Sequence, residues 1–199
     1  KRLRDFKEKL RARLSGPPPA AGEEGEALAR EIAESALTLV GDREKVLPLR
    51  LETGRRLLVF FPQAGPLTPV EDEVPALDRL AEIIRLRHPS AEMVTFPLSP
   101  SRRDLDAARQ ALGDADAAVV CTLNAHLHRA QTELVDEIAA SGKPAAFIAV
   151  RNPYDAELYP PHAARLAAYG TDRHTLEAVG KALFGELAPR GKCPVALRV

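Results

Sequence analysis

The chain has 199 residues, of which 45% are hydrophobic, and its formal net charge is zero. This length suits one α/β domain with an extension, and the charge balance does not favour nucleic acid as a partner. The sequence contains no apolar run long enough to cross a membrane, so we predict neither a nucleic-acid nor a membrane partner.

The chain begins with a basic segment that is followed by a proline-rich one. Residues 1–14 carry seven Lys or Arg and two Asp or Glu. The apolar residues of this segment recur at helical spacing: Leu3, Phe6, Leu10 and Leu14. The run Ser-Gly-Pro-Pro-Pro-Ala-Ala-Gly at residues 15–22 is typical of a linker. We therefore predict an interdomain linker helix and proline-rich segment over residues 1–22, and an α/β domain over residues 23–199.

Helical and strand patterns alternate in the rest of the chain. The helical patterns cover residues 23–34, 77–84, 101–112, 127–138 and 175–184. The strand patterns cover residues 36–40, 57–61, 93–96, 117–121, 145–150, 166–169 and 195–197. Several strands are continuous apolar runs, as in strands covered on both faces. We predict an α/β fold with a doubly wound, mostly parallel sheet that is sandwiched by helices.

Polar residues follow two of the predicted strands. Arg-Asn-Pro-Tyr-Asp at residues 151–155 comes directly after one apolar run, although a turn alone needs only Asn-Pro. In a parallel sheet, ligands and partners meet the carboxyl ends of the strands. We therefore expect the loops after residues 121 and 150 to be neighbours. Together they form what we call the polar rim, which consists of Asn124, His126, His128, Arg151, Asn152, Tyr154 and Asp155.

The common catalytic patterns are missing from the sequence. His126 and His128 offer two imidazoles without a third ligand at metal spacing. No Gly-x-Ser-x-Gly elbow and no glycine-rich phosphate loop is present. Cys121 and Cys193 lie in or beside apolar segments, so two buried free thiols are predicted rather than a disulfide. We predict no catalytic residue, no metal and no cofactor in this chain.

The carboxylates have simpler explanations than acid or base chemistry. Glu133, Asp136 and Glu137 lie opposite the apolar stripe of their helix, where solvent covers them. Asp155 is the one carboxylate in a loop of the polar rim, where a ligand is expected. A cap or turn role after Asn-Pro is favoured for it over direct chemistry, and both alternatives stay open.

Four stretches of the sequence resemble family 3 glycoside hydrolases. They are "RDFKEKL" at residues 4–10, "IAESALTLVGDREKVLPL" at 32–49, "VRNPYDA" at 150–156 and "ARLAAYG" with "TLEAVGKALFGELAPRGKCPVAL" within 164–197. The last resembles the end of the family's C-terminal α/β domain, with Cys193 where the family usually has Leu. "VRNPYDA" is similar to a loop in the branch that hydrolyses β-linked N-acetylhexosamines. Residues 65–115 carry no matching motif.

The resemblance implies an accessory domain of a retaining β-N-acetylhexosaminidase. In that branch the Asp nucleophile and a His acid/base lie on an N-terminal (β/α)8 barrel, so no catalytic residue carries over to this chain. Some other branches take an acid/base Glu from the second domain, and we match no residue to it. The implied partners are that barrel on the same polypeptide and a carbohydrate at the domain boundary. The residues expected to face them are Asn124, His126, Arg151, Asn152, Tyr154 and Asp155.

Two rival functions remain open at this stage. One is a free-standing sugar- or protein-binding module of the same fold, and the other is a flavodoxin-like regulator or nucleotide binder. The latter is disfavoured because Phe61-Pro-Gln, and not an acidic cluster, follows the strand at residues 57–61. A bacterial enzyme acting on cell-wall fragments is expected from the resemblance, either cytoplasmic or exported.

Overall fold

The computed structural model describes residues 2–14, 22–63 and 77–198. The helices are α1 (Arg2–Leu14), α2 (Glu23–Ala36), α3 (Leu77–Arg85), α4 (Arg102–Gly113), α5 (Ala130–Ala140) and α6 (Arg173–Leu183). The strands are β1 (Thr38–Gly41), β2 (Leu57–Gln63), β3 (Ala91–Pro97), β4 (Ala117–Thr122), β5 (Ala145–Ala149) and β6 (Ala164–Ala167). A 3-10 helix spans Pro153–Leu158. Most of the predicted proline-rich linker lies outside the described residues, so the boundary at residue 22 stays a prediction.

One mixed sheet organises the described chain. Its strand order is β1-β6-β5-β4-β2-β3. β3, β2, β4, β5 and β6 are parallel, and β1 pairs with β6 in the antiparallel direction. Helices α3 and α6 pack on one face, whereas α4 and α5 pack on the other. The predicted α/β fold with a mostly parallel, doubly covered sheet is confirmed.

The continuous apolar runs become central strands because both faces of the sheet are covered. In β2, Leu57, Val59 and Phe61 belong to one core cluster. Leu58 and Phe60 point the opposite way and belong to the other cluster. Successive side chains of a strand alternate between faces, so a run without polar residues fits only a strand that is buried twice.

A capping signal in the sequence marks the start of α4. The Ser101 backbone amide donates to Asp104 Oδ2 at 2.7 Å, and the Asp104 amide donates to Ser101 Oγ at 3.4 Å. These two bonds are the capping box that begins α4. The hydrogen bonds from the Ser101 side chain and backbone lower the pKa of Asp104.

The predicted strand at residues 195–197 is wrong. These residues lie outside the sheet, which ends at β1 on this side. Pro194 has no amide hydrogen to donate to a ladder, and Leu197 packs against a core cluster without pairing. The strand predicted at residues 166–169 begins two residues earlier, and Tyr169 adopts a positive φ of 66° beyond its end.

Five apolar residues within the predicted helical patterns point away from the core. Leu3 and Phe6 of α1 are 70% and 62% exposed. Leu127 is 69% exposed because α5 begins only at Ala130, after a turn in which Asn124 has a φ of 54°. Leu28 and Ile32 of α2 also face outward, whereas Ala33 of that helix packs on the core.

Within the described residues, no helix combines the length and apolar character that a membrane crossing requires.

The predicted pair of buried thiols holds for one cysteine only. Cys121 on β4 is fully buried, and burial raises the pKa of its thiol. Cys193 is half-buried, two residues before the segment that was expected to be a strand. Neither cysteine forms a disulfide.

A glycine at the contact between α3 and α6 sets how closely these helices pack. A Cβ atom at Gly180 would collide with Cγ2 of Ile83, which is itself buried. We expect Gly180→Ala to lower the free energy of unfolding by about 1–3 kcal/mol, because the overpacked contact outweighs the better helix propensity of Ala. Urea denaturation measures this change.

Gly113 provides the matched control, because a Cβ atom there meets nothing within 4 Å. Gly113→Ala should leave stability unchanged or raise it by up to about 1 kcal/mol. If both variants are as stable as the parent chain, close helix packing at Gly180 is not a constraint.

Candidate functional site

The polar rim forms where two neighbouring strands end. β4 and β5 are adjacent and parallel, and Thr122 is paired with Ala149 at their carboxyl ends. The loops that follow these strands therefore leave the same edge of the sheet. The side-chain amide of Asn152 donates to Asn124 Oδ1 at 2.7 Å, which joins the two loops directly. The prediction that the loops are neighbours is confirmed.

The Asp155 carboxylate holds the two loops together from a fully buried position. Oδ2 accepts hydrogen bonds from Thr122 Oγ1 at 2.7 Å and from the Ala125 amide at 2.9 Å. Oδ1 accepts from the His126 amide at 3.1 Å and is 2.7 Å from His126 Nδ1. Asp155 was expected to cap the residues that follow it. Its carboxylate instead caps the loop after β4, about thirty residues earlier in the chain.

A buried tyrosine extends this network into the core. Tyr159 Oη is 2.6 Å from Thr122 Oγ1, and its ring packs against Phe147 with a centroid separation of 5.4 Å. Burial, and next the charge of Asp155, raise the pKa of Tyr159 well above its ordinary value. The phenol therefore stays protonated and can donate to Thr122, whose hydroxyl donates in turn to Asp155.

Gln131 fixes the other side of the loop after β4. Its side-chain oxygen accepts from the Leu123 amide at 3.0 Å, and its side-chain nitrogen donates to the Leu123 carbonyl at 2.9 Å. Gln131 is fully buried and stands one turn before Leu134 and Val135 on the inward face of α5. The sequence analysis missed it, although a polar residue at a core position of an amphipathic helix is a usable signal.

The outer surface of the polar rim presents an imidazole and a phenol side by side. His126 is 26% exposed, and its ring lies 5.8 Å from that of Tyr154. A carboxylate only accepts hydrogen bonds, so Asp155 makes Nδ1 of His126 the protonated nitrogen and leaves Nε2 as an acceptor when the ring is neutral. Tyr154 is 42% exposed and its hydroxyl has no hydrogen bond to another described residue.

The remaining rim residues have supporting positions. Asn152 precedes the 3-10 helix and its carbonyl accepts from the Asp155 amide, which confirms the Asn-Pro turn. Arg151 is half-buried and is engaged with other groups of the chain. His128 is half-buried, and its backbone amide bonds to the Asn124 carbonyl.

The polar rim can hold and orient hydrogen-bonding groups, but its carboxylate is already committed. Four donors surround Asp155, which leaves it no free lone pair for a substrate. In the part of the chain that the structure describes, no group of three or more His, Cys, Asp or Glu side chains is placed to hold a metal ion. The outward acids of α5 include Glu137, which forms an ion pair with Arg109.

A separate groove lies at the amino ends of the strands, opposite the polar rim. It encloses about 680 Å³ between the loop at residues 44–51 and the first residues of β4 and β5. None of the polar-rim residues lines it. This groove and the polar rim therefore lie at opposite strand ends.

The described residues form an α/β domain that carries the polar rim at the carboxyl ends of β4 and β5. Residues 37–198 match the family model described as the glycosyl hydrolase family 3 C-terminal domain, so the chain belongs to this family. A comparison with curated proteins gave no match.

Solved structures with the same fold come from larger proteins. A fungal multi-domain β-N-acetylglucosaminidase of family 3 matches with 24% identity and a TM-score of 0.76, over 89% of this chain and 20% of that one. The family 3 β-N-acetylglucosaminidase from Paenibacillus sp. str. FPU-7 matches with 21% identity and a TM-score of 0.75, over 89% and 34%. A β-glucosidase involved in saponin metabolism from intestinal bacteria has 15% identity and a TM-score of 0.64, over 88% and 33%. The chain thus spans a fifth to a third of these proteins.

The Asp155 network gives a direct stability prediction. Asp155→Asn keeps the size of the side chain but places an NH2 group against hydrogen-bond donors in a buried site. We expect the free energy of unfolding to fall by about 2–4 kcal/mol in urea denaturation, because buried donors lose their acceptor.

Asp114 is the control for this change, since its side chain is 91% exposed. Asp114→Asn should stay within about 0.5 kcal/mol of the parent chain. A loss for Asp155→Asn that is no larger than this would mean that the carboxylate does not hold the loops.

Proposed function

We propose that this chain is the accessory C-terminal domain of a bacterial retaining β-N-acetylhexosaminidase that releases terminal β-linked N-acetylglucosamine. Its catalytic groups would then belong to an N-terminal (β/α)8 barrel on the same polypeptide. The Asp155 network carries the proposal. It explains why the Asn-Pro-Tyr-Asp loop, which resembles a loop of that branch, has this residue set, since Asp155 fixes the adjacent loop and Tyr154 stays on the surface.

Two further observations support this assignment. The fungal and Paenibacillus proteins of the same fold are both named as β-N-acetylglucosaminidases. Retaining glycosidases also need a nucleophile and an acid/base at the sugar, commonly two carboxyl groups about 5 Å apart. In the described residues, the rim offers a single carboxylate, and it is enclosed. This arrangement suits a domain that supports a catalytic site located elsewhere.

We further propose that the polar rim faces the barrel and the sugar at the domain boundary. His126 Nε2 would accept a hydrogen bond from a hydroxyl or amide group there, and the neighbouring Tyr154 ring would offer a flat apolar surface. Arg151, Asn152 and Asn124 would complete the contact. Asp155 would act only by holding these groups in place. Cell-wall fragments are the substrate class that we propose for the complete enzyme.

Hydrolysis of 4-nitrophenyl N-acetyl-β-D-glucosaminide tests the proposed function. The assay compares the purified 199-residue chain with the full-length product of the gene. We expect activity only in the full-length protein, because the nucleophile and acid/base would lie on its barrel. 4-Nitrophenyl β-D-glucoside is the control substrate for a β-glucosidase of the same family.

Each other outcome of this assay points to a definite alternative. Hydrolysis by the isolated chain, above a blank purified in the same way from cells that lack the gene, would mean that a catalytic set lies within it. A full-length protein that cleaves only the glucoside would overturn the hexosaminidase assignment. A full-length protein without activity, together with sugar-induced shifts in NMR signals of the rim, would favour the binding-module alternative.

The proposed contact at the domain boundary can be tested with Tyr154→Ala in the full-length enzyme. Losing one half-exposed aromatic contact should raise KM about five-fold or lower the melting temperature of the full-length enzyme. The isolated chain should melt as before, because Tyr154 is 42% exposed within it. Leu86→Ala is the control, since Leu86 is 82% exposed and lies outside the rim. Unchanged kinetics and melting for Tyr154→Ala would contradict the contact.

A further inference from the structure

A buried arginine on β6 has no partner of opposite charge. Arg165 is only 5% exposed. The described residues provide it with neither a hydrogen bond nor an ion pair, and its Nε atom is buried without a hydrogen-bond acceptor. Buried charges in proteins are normally paired, since their removal from water is costly. Arg165 is therefore an exception that needs a physical cause.

Another largely buried arginine of this chain shows the usual solution. The Arg87 side chain is 13% exposed, and its guanidinium forms ion pairs with Glu177 at 2.9 Å and Glu186 at 2.6 Å. The hydrogen bonds that Arg87 donates to Glu186 and Glu177 raise the pKa of Arg87. Burial, and next the charge of Arg43, lower the pKa of Arg165. The charged residue that acts on Arg165 is thus a second cation.

The backbone makes room for the Arg165 guanidinium at the edge of the sheet. Arg165 is paired with Gly41 across the antiparallel β1–β6 ladder, whose register shifts between Leu39 and Gly41. A Cβ atom at Gly41 would lie 2.5 Å from Arg165 Nη2, so any larger residue would displace the guanidinium. The side chain therefore lies across β1 in a place kept open by a glycine.

We propose that Arg165 and Arg43 form a binding site for a small oxyanion, a carboxylate or a phosphate group, at the β1 edge of the sheet. A guanidinium binds such groups through paired N–H donors. The Nε of Arg165 is enclosed, so an anion reaches the guanidinium at the small part of the side chain that stays exposed. The ligand group is small because only a twentieth of the Arg165 surface is exposed. The bound anion neutralises two cations at the junction of β1 and β6.

This site is independent of the proposed function. It lies on β6 and β1, whereas the polar rim follows β4 and β5. Its ligand is an anion, whereas the proposed substrate of the complete enzyme is a sugar hydrolysed elsewhere. Failure of the hydrolase proposal would leave the anion site standing, and the reverse also holds.

NMR spectroscopy of the 199-residue chain tests the proposal at the atom concerned. The chain is labelled with 15N and kept in a chloride buffer, and sodium phosphate or sodium acetate is added at constant ionic strength. We expect one arginine Nε–H resonance to shift saturably at millimolar anion. The same resonance should be missing from the spectrum of Arg165→Met, which assigns it.

Thermal melting of the same samples supplies a second readout. Without added oxyanion, Arg165→Met should melt at least about 2 °C above the parent chain, because an unpaired buried charge is removed. Saturating anion should stabilise the parent chain and leave Arg165→Met unchanged apart from the general salt effect. Arg190→Met, a change at an exposed arginine, should respond as the parent chain does. Arg165→Lys replaces the Met variant if that chain does not fold.

The outcomes separate the possible ligands. Saturation by phosphate alone identifies a phosphate site, and saturation by acetate identifies a carboxylate site. A non-saturating response that is equal in the parent chain and in the Arg165 variant is a general salt effect and overturns the proposal. An Arg165 Nε–H resonance that stays unchanged with both anions also overturns the proposal, because Arg165 then binds neither of them.

Discussion

The arrangement of the site depends on one buried carboxylate. Asp155 is removed from solvent and surrounded by four donors, two of which are backbone amides of the loop after β4. Taking a carboxylate out of water is unfavourable unless hydrogen bonds replace its hydration. Those bonds are available only when β4 and β5 are adjacent and their loops are in contact. The carboxylate therefore makes the loop conformation and the sheet order depend on each other.

This dependence divides the Asn-Pro-Tyr-Asp loop into two kinds of residue. Pro153 and Asp155 are buried and determine the conformation, whereas Tyr154 stands between them on the surface. Such alternation suits a surface whose shape must be reproducible while its exposed groups stay available. His126 combines both properties, because one ring nitrogen is fixed by Asp155 and the other is directed outward.

Short-range patterns in the sequence were enough to predict most of the fold. Continuous apolar runs located the central strands, and the helical pattern at residues 101–112 located α4. The proximity of residues 124 and 152 followed from parallel-sheet geometry alone. The donors to Asp155 could not be found in this way, because sheet geometry places two loops side by side without specifying which groups form hydrogen bonds across them. Arg165 was missed for a similar reason, since its burial depends on Gly41 in another strand.

The errors have physical causes as well. An apolar triplet at residues 195–197 fits a strand, but Pro194 lacks a donor and the residues pack individually. Leu127 fits a helical period, but the turn around Asn124 delays the helix. In both places, contacts with neighbouring segments of the same chain decided the structure against the local preference for a strand or a helix.

The strand order has a consequence for the strand ends at which the polar rim lies. β2 and β4 are neighbours, but α3 after β2 and α5 after β4 lie on opposite faces of the sheet. Two neighbouring strands whose helices lie on opposite faces form a topological switch point, as in other doubly wound sheets. One side of this switch point is the loop after β4, which Asp155 and Gln131 hold through hydrogen bonds.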